Sequence, residues 1–514
     1  MNTNIFKIIF LLVAFLVLPD FAKAANTFYV DGGAVDDTGS GAQNSPKKYI
    51  TSGLQLMLGG DTLIIEDGIY AGENNMIGDY SNPRYYPPSG TVGTYTMIQA
   101  RNVEQVIIDG EYLRAPFSMI GVVGRDYLHI DGIHFRRGVA GVFNIRGSYN
   151  KVTNCGMEDG LASNTDTETE IASVIGGSSY TLIEDCWVWG KGRYGFYTSS
   201  SNGGANHVIF RRIVVRFDSS PSGEKPTSGI RFYNGDTNSA QNVVVLDSNI
   251  ASDAYYPEAV GTGGGSSTTG EPNHTFYGII SLNNLGMSGY HFEMTRNPVL
   301  ISNSVVWGGD MGIESSGNNT AGLVINAQNV TAGQNTRYEF YRNINYTGML
   351  MNVADSIAVT ESGGQAYLNP NSLSNSEHYI APGGSAGQST GSTLITEVAL
   401  NEKLKYLPRP ESGTAGATIL YQIGVSGTLH GEAGWNTTTT QPLWPFANEA
   451  MWAAKMKTYN ASGPGGNRGF AALAGSTQTP LTDYIWGYLG NPKPDIYGEN
   501  DIVAPSAPTG LGAL

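Results

Sequence analysis

The sequence predicts an all-β protein, a right-handed parallel β-helix in which short strands coil into stacked turns. Three observations lead to this prediction. A short pattern recurs from about residue 105 to residue 330, with 22 to 35 residues between copies. Apolar residues stand at fixed positions around the later copies. Only 14% of the residues are charged while 68 are Gly, which is an unusual surface for a compact globule.

The first residues are typical of a cleaved secretory signal. Lys7 precedes the apolar run IIFLLVAFLVL, and Ala22-Lys23-Ala24 matches the small-residue cleavage site. A membrane anchor is the alternative, but the run of about a dozen apolar residues is shorter than the roughly twenty that a spanning helix needs. We therefore expect Ala25 to begin a mature protein that is secreted or held at the cell surface, with no membrane span.

The charge balance bears on possible partners. A net charge of -15 and a pI near 4.9 argue against nucleic acid, which requires clustered Lys and Arg. Two cysteines allow one disulfide at most. We expect a monomer.

The recurring pattern is a residue pair whose first member is Asp or Asn in six of nine copies. The pairs are Asp109-Gly110, Asp131-Gly132, Asn154-Cys155, Asp185-Cys186, Arg212-Ile213, Asp247-Ser248, Ile279-Ile280, Asn303-Ser304 and Ala327-Gln328. From Cys155 onward, apolar or aromatic residues stand three places before and two places after the second member. Because that separation is odd, both can point inward only if the chain turns between them.

Asp and Asn tolerate the left-handed backbone conformation that such a corner requires. In HVIFRRIVVRF, residues 207 to 217, we therefore expect Phe210 and Val215 to point inward. Arg211 and Arg216 then point outward, and Arg212 occupies the corner. Stacked units of this kind bury apolar faces that no single unit could bury alone.

Two parts of the chain resemble known proteins. GGDTLIIEDGIY, residues 59 to 70, follows SPKKYITSGLQLML and resembles the helix and first strand of secreted β-helix proteins of the pectate-lyase-like type. This resemblance covers roughly residues 26 to 350 and implies the fold, without the catalytic motif of a named lyase family. LWPFANEAMW, RGF and LTDYIWGYLGNP resemble the C-terminal part of secreted bacterial β-helix proteins that have no assigned activity.

The chain is accordingly divided into five parts. A short cap helix begins the β-helix, and helical spacing in residues 442 to 460 indicates a helix in a C-terminal segment that packs on the side or end of the coil. The parts are a signal peptide (1–24), the β-helix (25–360, or about 55 Å of stacked turns), an irregular extension with long loops (361–430), a partly helical capping segment (431–500), and a linker or fibronectin type III start (501–514).

Equivalent positions on successive turns should be neighbours about 4.8 Å apart. Cys155 and Cys186 then share a column, as free buried thiols or as a disulfide. An outward column contains Glu158, Trp189, Arg216, Ala251, Asn283, Trp307 and Thr331. Trp rings, a carboxylate and a guanidinium are suited to a sugar chain, so Glu158, Trp189 and Trp307 are predicted to bind substrate in a groove, unless loops cover them.

Two residues further along each turn, Lys191, Asp218 and Asp253 form a second column, with Arg193 and Tyr197 in or after the next loop as further substrate contacts. An ordinary ion-pair ladder is one interpretation. The catalytic one assigns Lys191 as base and Arg216 as carboxylate-neutralising group in β-elimination, with Ca²⁺ as a candidate cofactor.

Two classes of function remain open from the sequence. One is an exported enzyme acting on an acidic polysaccharide, a lyase or, with Asp218 and Asp253 as the carboxylate pair, a hydrolase. The other is a non-catalytic surface or matrix protein that binds glycans through the same groove.

Overall fold

A computed structural model gives the fold. It describes residues 25–78, 85–121, 124–160, 170–199, 204–219, 226–233, 235 and 237–248, the later strands given below, 447–458 and 481. The predicted signal peptide, nearly all of residues 361–430 and the predicted fibronectin type III start lie outside the described residues.

The described chain is dominated by strands that form two large parallel sheets. The larger sheet contains β1 (Thr27–Val30), β2 (Thr62–Ile65), β3 (Gly68–Ala71), β4 (Thr96–Ala100), β5 (Val106–Asp109), β7 (Leu128–Asp131), β8 (Ile133–Arg136), β10 (Lys151–Thr153), β11 (Gly156–Glu158), β13 (Leu182–Lys191), β15 (Ile209–Ser219), β17 (Ser239–Leu246), β19 (His274–Asn284), β21 (Val299–Gly309), β23 (Val324–Ala332), β25 (Leu350–Ala354), β26 (Ile357–Thr360), β28 (Glu377–Ile380) and β30 (Thr393–Leu394). The smaller contains β6 (Phe117–Ser118), β9 (Phe143–Ile145), β12 (Glu170–Val174), β14 (Tyr194–Thr198), β16 (Pro226–Tyr233), β18 (Tyr255–Gly263), β20 (Ser288–Glu293), β22 (Ile313–Ser316) and β24 (Glu339–Phe340). A separate pair joins β27 (Gln365–Ala366) and β29 (Ser385–Ala386).

Strands pair with the equivalent strands one repeat earlier and later along the chain. In the larger sheet β10 lies between β7 and β13, and β15 lies between β13 and β17. The smaller sheet follows the same order through β12, β14 and β16. Parallel pairing at this interval is the pattern that a parallel β-helix requires.

Several of the predicted corners have the predicted backbone conformation, although Asp109 and Asp131 do not. Asn154, Asp185 and Arg212 have φ of 53°, 55° and 50°, in the left-handed region. Arg212, which has no intrinsic preference for that region, is held by a bidentate pair with Asp185, both contacts at 2.6 Å, and by Glu184 at 2.6 Å.

The predicted register is confirmed for the turns of Cys155, Cys186 and Ile213 and is wrong on both sides of them. On the N-terminal side, Asp131 pairs with Thr153 instead of the predicted Asn154, and Asp109 pairs with Arg136 instead of the predicted Asp131. Cys186 pairs with Ile213, but Ile213 pairs with Val243, five residues before the predicted Ser248. The error arose because inward positions recur five residues apart across a corner, so a shift of five keeps Val245 in an apolar position. In the following turns, Val243 pairs with Ile279 instead of the predicted Ile280, and Ser304 pairs with Val330 instead of the predicted Gln328.

The core lies between the sheets. Phe210 and Val215 are both buried in one apolar cluster, as predicted. Phe210 packs against Phe196 and Phe232 with ring centroids 5.3 and 5.7 Å away. Cys155 and Cys186 are buried, free thiols, and burial raises the pKa of Cys186.

Two α-helices accompany the strands in the part of the chain that the structure describes. Helix α1 (Ile50–Leu56) packs on β1 and β2. Helix α2 (Glu449–Thr458) falls within the segment predicted to be helical and lies against the outward side of β8, β11 and β15. Within the described part of the chain, no helix has the length and apolar character needed to cross a membrane.

Candidate functional site

The predicted groove is closed in the structure. The column from Glu158 through Trp189 to Arg216 exists as predicted. However, Trp189 and Arg216 are completely buried and Asp218 is 2% exposed. The prediction of an open groove along these residues is therefore wrong, because helix α2 covers the column.

Arg216 and Asp218 form a buried ion pair in that column. Arg216 Nε lies 3.1 Å from Asp218 Oδ1, and Arg216 Nη2 donates to the Met456 carbonyl of α2 at 2.8 Å. Burial raises the pKa of Asp218, while Arg216 opposes that rise. Such a pair stabilises local geometry but cannot contact a polysaccharide while α2 is in place.

The other predicted residues do not converge on one site. Lys191 is exposed, and its strand partner across a bulge is Ser219 rather than Asp218. Asp253 and the Trp307 side chain lie outside the described residues. In the strand register, Leu246 pairs with Leu282 and Leu282 pairs with Trp307, so Leu246 takes the place in this column that was predicted for Ala251. 

Tyr197 belongs to the smaller sheet, and Arg193 directly precedes its strand. Tyr197 lies on β14 of the smaller sheet, where it stacks on Tyr194 with centroids 4.4 Å apart. Arg193 lies over the Tyr194 ring at 4.5 Å. These contacts form a separate aromatic cluster, away from Trp189. Glu158 remains half-buried, 2.9 Å from His134 Nε2.

A different group of residues combines partial exposure with acid-base chemistry. Strands β4, β7 and β10 each present two side chains outward, and all six are half-buried. They form two columns, Met97–His129–Lys151 and Gln99–Asp131–Thr153. We call these six residues the open face.

Hydrogen bonds show which ring nitrogen of His129 carries a proton. The Thr153 hydroxyl donates to Asp131 Oδ1 at 2.6 Å, and His129 Nε2 lies 2.8 Å from the same hydroxyl oxygen. Because the hydroxyl proton is directed to Asp131, His129 must donate through Nε2. In the neutral imidazole the lone pair is then on Nδ1, and this atom has no hydrogen-bond partner among the described residues.

Electrostatics keep that imidazole neutral. Burial lowers the pKa of His129, Asp131 raises it, and Lys151 lowers it again. Lys151 occupies the neighbouring register position on the next strand. Burial also lowers the pKa of Lys151, against the pull of Glu184. The open face therefore places a neutral base beside a cation.

An aromatic ladder borders the open face. Tyr127, Tyr149, Tyr180 and His207 stack in succession, with centroids 4.9, 5.0 and 4.5 Å apart and interplanar angles of 7°, 9° and 26°. Each has a φ near 55 to 60°, so each lies at a corner just before its strand. Since the rings cover one another's faces, they offer edges rather than stacking platforms to a ligand.

Tyr95 begins this border. It meets Tyr127 edge-on at 6.0 Å, and Lys151 Nζ lies 4.7 Å from its ring centre. Burial raises the pKa of Tyr95. This contact holds the Lys151 ammonium over the start of the open face.

Sequence analysis missed the open face although a signal was present. Tyr95, Tyr127, Tyr149, Tyr180 and His207 each stand two residues before the first outward residue of a strand. The search followed columns on the C-terminal side of the corners and did not examine this side. His129 and Thr153 also gave no motif, because their contact depends on strand register.

No group of three or more His, Cys, Asp or Glu residues suited to a metal ion occurs among the described residues. The candidate Ca²⁺ role stays a prediction.

No protein-family model matches the chain, and neither does any curated protein. Solved structures do resemble it in fold. A rhamnogalacturonan lyase has a TM-score of 0.33 at 14% identity, over 72% of this chain and 84% of that one. An alginate lyase from Paenibacillus sp. gives 0.36 at 11%, over 58% and 96%. The catalytic domain of a GH87 α-1,3-glucanase gives 0.38 at 12%, over 72% and 68%.

Proposed function

We propose that the protein is a carbohydrate-active enzyme that binds an acidic polysaccharide at the open face and cleaves it by β-elimination. The observation that supports this most strongly is His129, a neutral base oriented by Thr153 and Asp131, with Lys151 beside it. The resemblance to solved structures is too distant to carry the argument.

β-Elimination needs the two groups that this face supplies. Lys151 binds the uronate carboxylate and lowers the cost of charge building up on it. His129 Nδ1 takes the proton from the carbon beside that carboxylate. The freed electron pair forms the new carbon–carbon double bond, the bond to the bridging oxygen breaks, and that oxygen takes a proton from solvent.

The proposal includes the finer fold. We infer that the two sheets are the walls of a right-handed parallel β-helix, since strand–crossover–strand connections in parallel sheets are right-handed in about 98% of cases. The protein is then secreted or held at the cell surface, where such substrates occur. Lys191, which is exposed, remains a second candidate base.

His129→Gln tests the catalytic role. Gln can still donate to Thr153 but cannot accept the substrate proton, so turnover of a polyuronate should fall by at least about 100-fold, with KM little changed. Ultraviolet absorbance of the unsaturated product measures turnover. His207→Gln, at the far end of the ladder, is the matched control and should retain activity. Full activity in His129→Gln would assign the base elsewhere, with Lys191→Ala as the next variant.

A non-catalytic glycan-binding protein is the second candidate. The ladder favours it, because a continuous row of ring edges can guide a sugar chain without any chemistry. Binding of polyuronate without product or new reducing ends would support this function and contradict the enzyme.

A further inference from the structure

Helix α2 covers a face formed by His134, Gly156, Glu158, Trp189 and Arg216, which we call the latch face. Trp452 of α2 lies against Gly156 so closely that a Cβ there would come within 2.3 Å of the Trp452 ring. The Trp452 centroid is 5.9 Å from that of His134 and 6.3 Å from that of Trp189.

The contact leaves buried polar atoms without hydrogen-bond partners. These atoms are Trp189 Nε1, Trp452 Nε1 and Arg216 Nη1. Nearly all buried polar groups in a permanently closed interface are hydrogen-bonded. Their accumulation under one helix indicates that α2 does not satisfy the polar groups that it buries, so that another partner could replace it.

The chemistry of the latch face defines that partner. Arg216 is paired with Asp218, and Glu158 with His134, so the face has no uncompensated cation for an acidic ligand. Its unsatisfied atoms are the N–H donors Trp189 Nε1 and Arg216 Nη1. The Trp189 indole adds a flat apolar surface. A chain of uncharged sugars, whose hydroxyls both donate and accept, fits this combination.

We propose that α2 is a displaceable latch and that a neutral glycan binds the latch face when the helix leaves. The Met456 carbonyl, which accepts from Arg216 Nη2 at 2.8 Å, occupies the position that a sugar hydroxyl oxygen takes. This face is separate from the open face, and the proposal does not depend on the proposed elimination.

Two substitutions should release α2, one in the helix and one in the face beneath it. Trp452→Ala removes the ring that fills the slot over Gly156. Gly156→Ala leaves the helix sequence intact and blocks that ring with a methyl group. Thr458→Ala is the matched control, because this exposed side chain donates to the Lys455 carbonyl within α2.

Spin labels report whether the helix has moved. Cys replaces exposed Ala454 on α2 and Ile69, which is 62% exposed on β3. The native cysteines are buried and remain unlabelled. The interspin distance should be narrow in the wild-type background and in Thr458→Ala, and broad in both opening variants.

Binding of cellohexaose, xylohexaose, mannohexaose and hexagalacturonate is then measured by calorimetry. Both opening variants should bind at least one neutral hexasaccharide at least about tenfold more tightly than the control, because a minor open state is about 10% populated or less. Trp189→Phe, which keeps the ring and removes the N–H, should reverse part of the gain.

Three results would overturn the proposal: a helix that stays docked in both opening variants, a released helix with no gain for any neutral hexasaccharide, or a gain for hexagalacturonate alone. Repeating the measurements with His129→Gln separates the two sites. If the opening variants still bind the neutral hexasaccharide more tightly in the His129→Gln background, the glycan binds the latch face. If this increase in affinity is lost, the glycan binds the open face, and the latch proposal is contradicted.

Discussion

The proposed role of His129 as the base depends on the Thr153 hydroxyl. Thr153 accepts from Nε2 only because its own proton is directed to Asp131. Removing the carboxylate charge frees the hydroxyl to rotate and weakens the preference for the tautomer with its lone pair on Nδ1. Asp131 is therefore a positioning residue, since it acts through Thr153.

Asp131→Asn should lower kcat for polyuronate with little change in KM, by about tenfold or more if tautomer and orientation are both disturbed. Thr153→Ser, which preserves the hydroxyl, should restore near-normal kcat relative to Thr153→Val. Equal losses in Thr153→Ser and Thr153→Val would show that the hydroxyl has no orienting role.

The pH profile provides a second test of His129. The base must be unprotonated, and burial lowers its pKa from the usual 6.5. Activity should therefore persist as pH falls to 6.5 and decline only below it. A kcat/KM profile whose acidic limb has its midpoint at or above 6.5 would contradict a buried, neutral His129 as base.

Arg212 and Asp185 show how the corners are held in place. Removing one member of a buried ion pair leaves the other charge uncompensated, so Arg212→Ala, which removes the guanidinium that pairs with the buried Asp185 carboxylate, should cost about 3–5 kcal/mol of unfolding free energy. Glu66 pairs with Arg101 at 2.5 Å, but with side chains 28% and 32% exposed. Glu66→Ala should cost no more than about 1 kcal/mol in the same urea titration. Similar losses in both variants would show that the corner pair is not specially required.

At the scale of elements, helix α2 brings the half-buried Lys455 against the strands that it covers. Lys455 Nζ lies 2.9 Å from Glu104 Oε1, 3.1 Å from the Glu104 carbonyl and 3.2 Å from His134 Nδ1. Glu158 faces the other side of His134. Burial lowers the pKa of Lys455 from 10.5 to about 8.

This shift has a direct consequence for docking. A released helix binds the Lys455 proton more tightly than a docked one, so docking should strengthen as pH rises from 8 toward 10.5. The spin-label distance under mild urea should therefore narrow over that window. Lys455→Met should lack the trend, and an equal trend in this variant would assign it to another group.

The sequence predicts the strands and corners better than it predicts which strand faces are covered by other parts of the chain. The period, corners and inward residues of the turns from Asn154 to Arg212 follow from local preferences, which explains the success at Asn154, Asp185 and Phe210. The closed groove could not be foreseen, because α2 and Trp189 are separated by more than 250 residues and their contact is not encoded locally. The open face was missed because the contact between His129 and Thr153 requires register accurate to one residue.

At the scale of the whole molecule, strands β15 and β16 each pair with the strands one repeat earlier and later. The Phe210 ring contacts Phe196 and Phe232, and Phe232 contacts Phe276, so the aromatic core runs along the stack from turn to turn. In such an architecture, stability is approximately a sum of unit and interface contributions, and damage is local.

Phe210→Ala tests this organisation. The cavity should cost about 3–5 kcal/mol, because the neighbouring rings can only partly fill it. Hydrogen exchange should lose protection in β13, β15 and β17, whereas β2 and β4, several turns away, should keep wild-type protection. Phe28→Ala, at the partly exposed first turn, provides the reverse case, with losses confined to β1 and β2. If Phe210→Ala instead lowers protection equally in every strand, the protein unfolds as one cooperative unit and the independence of its turns is refuted.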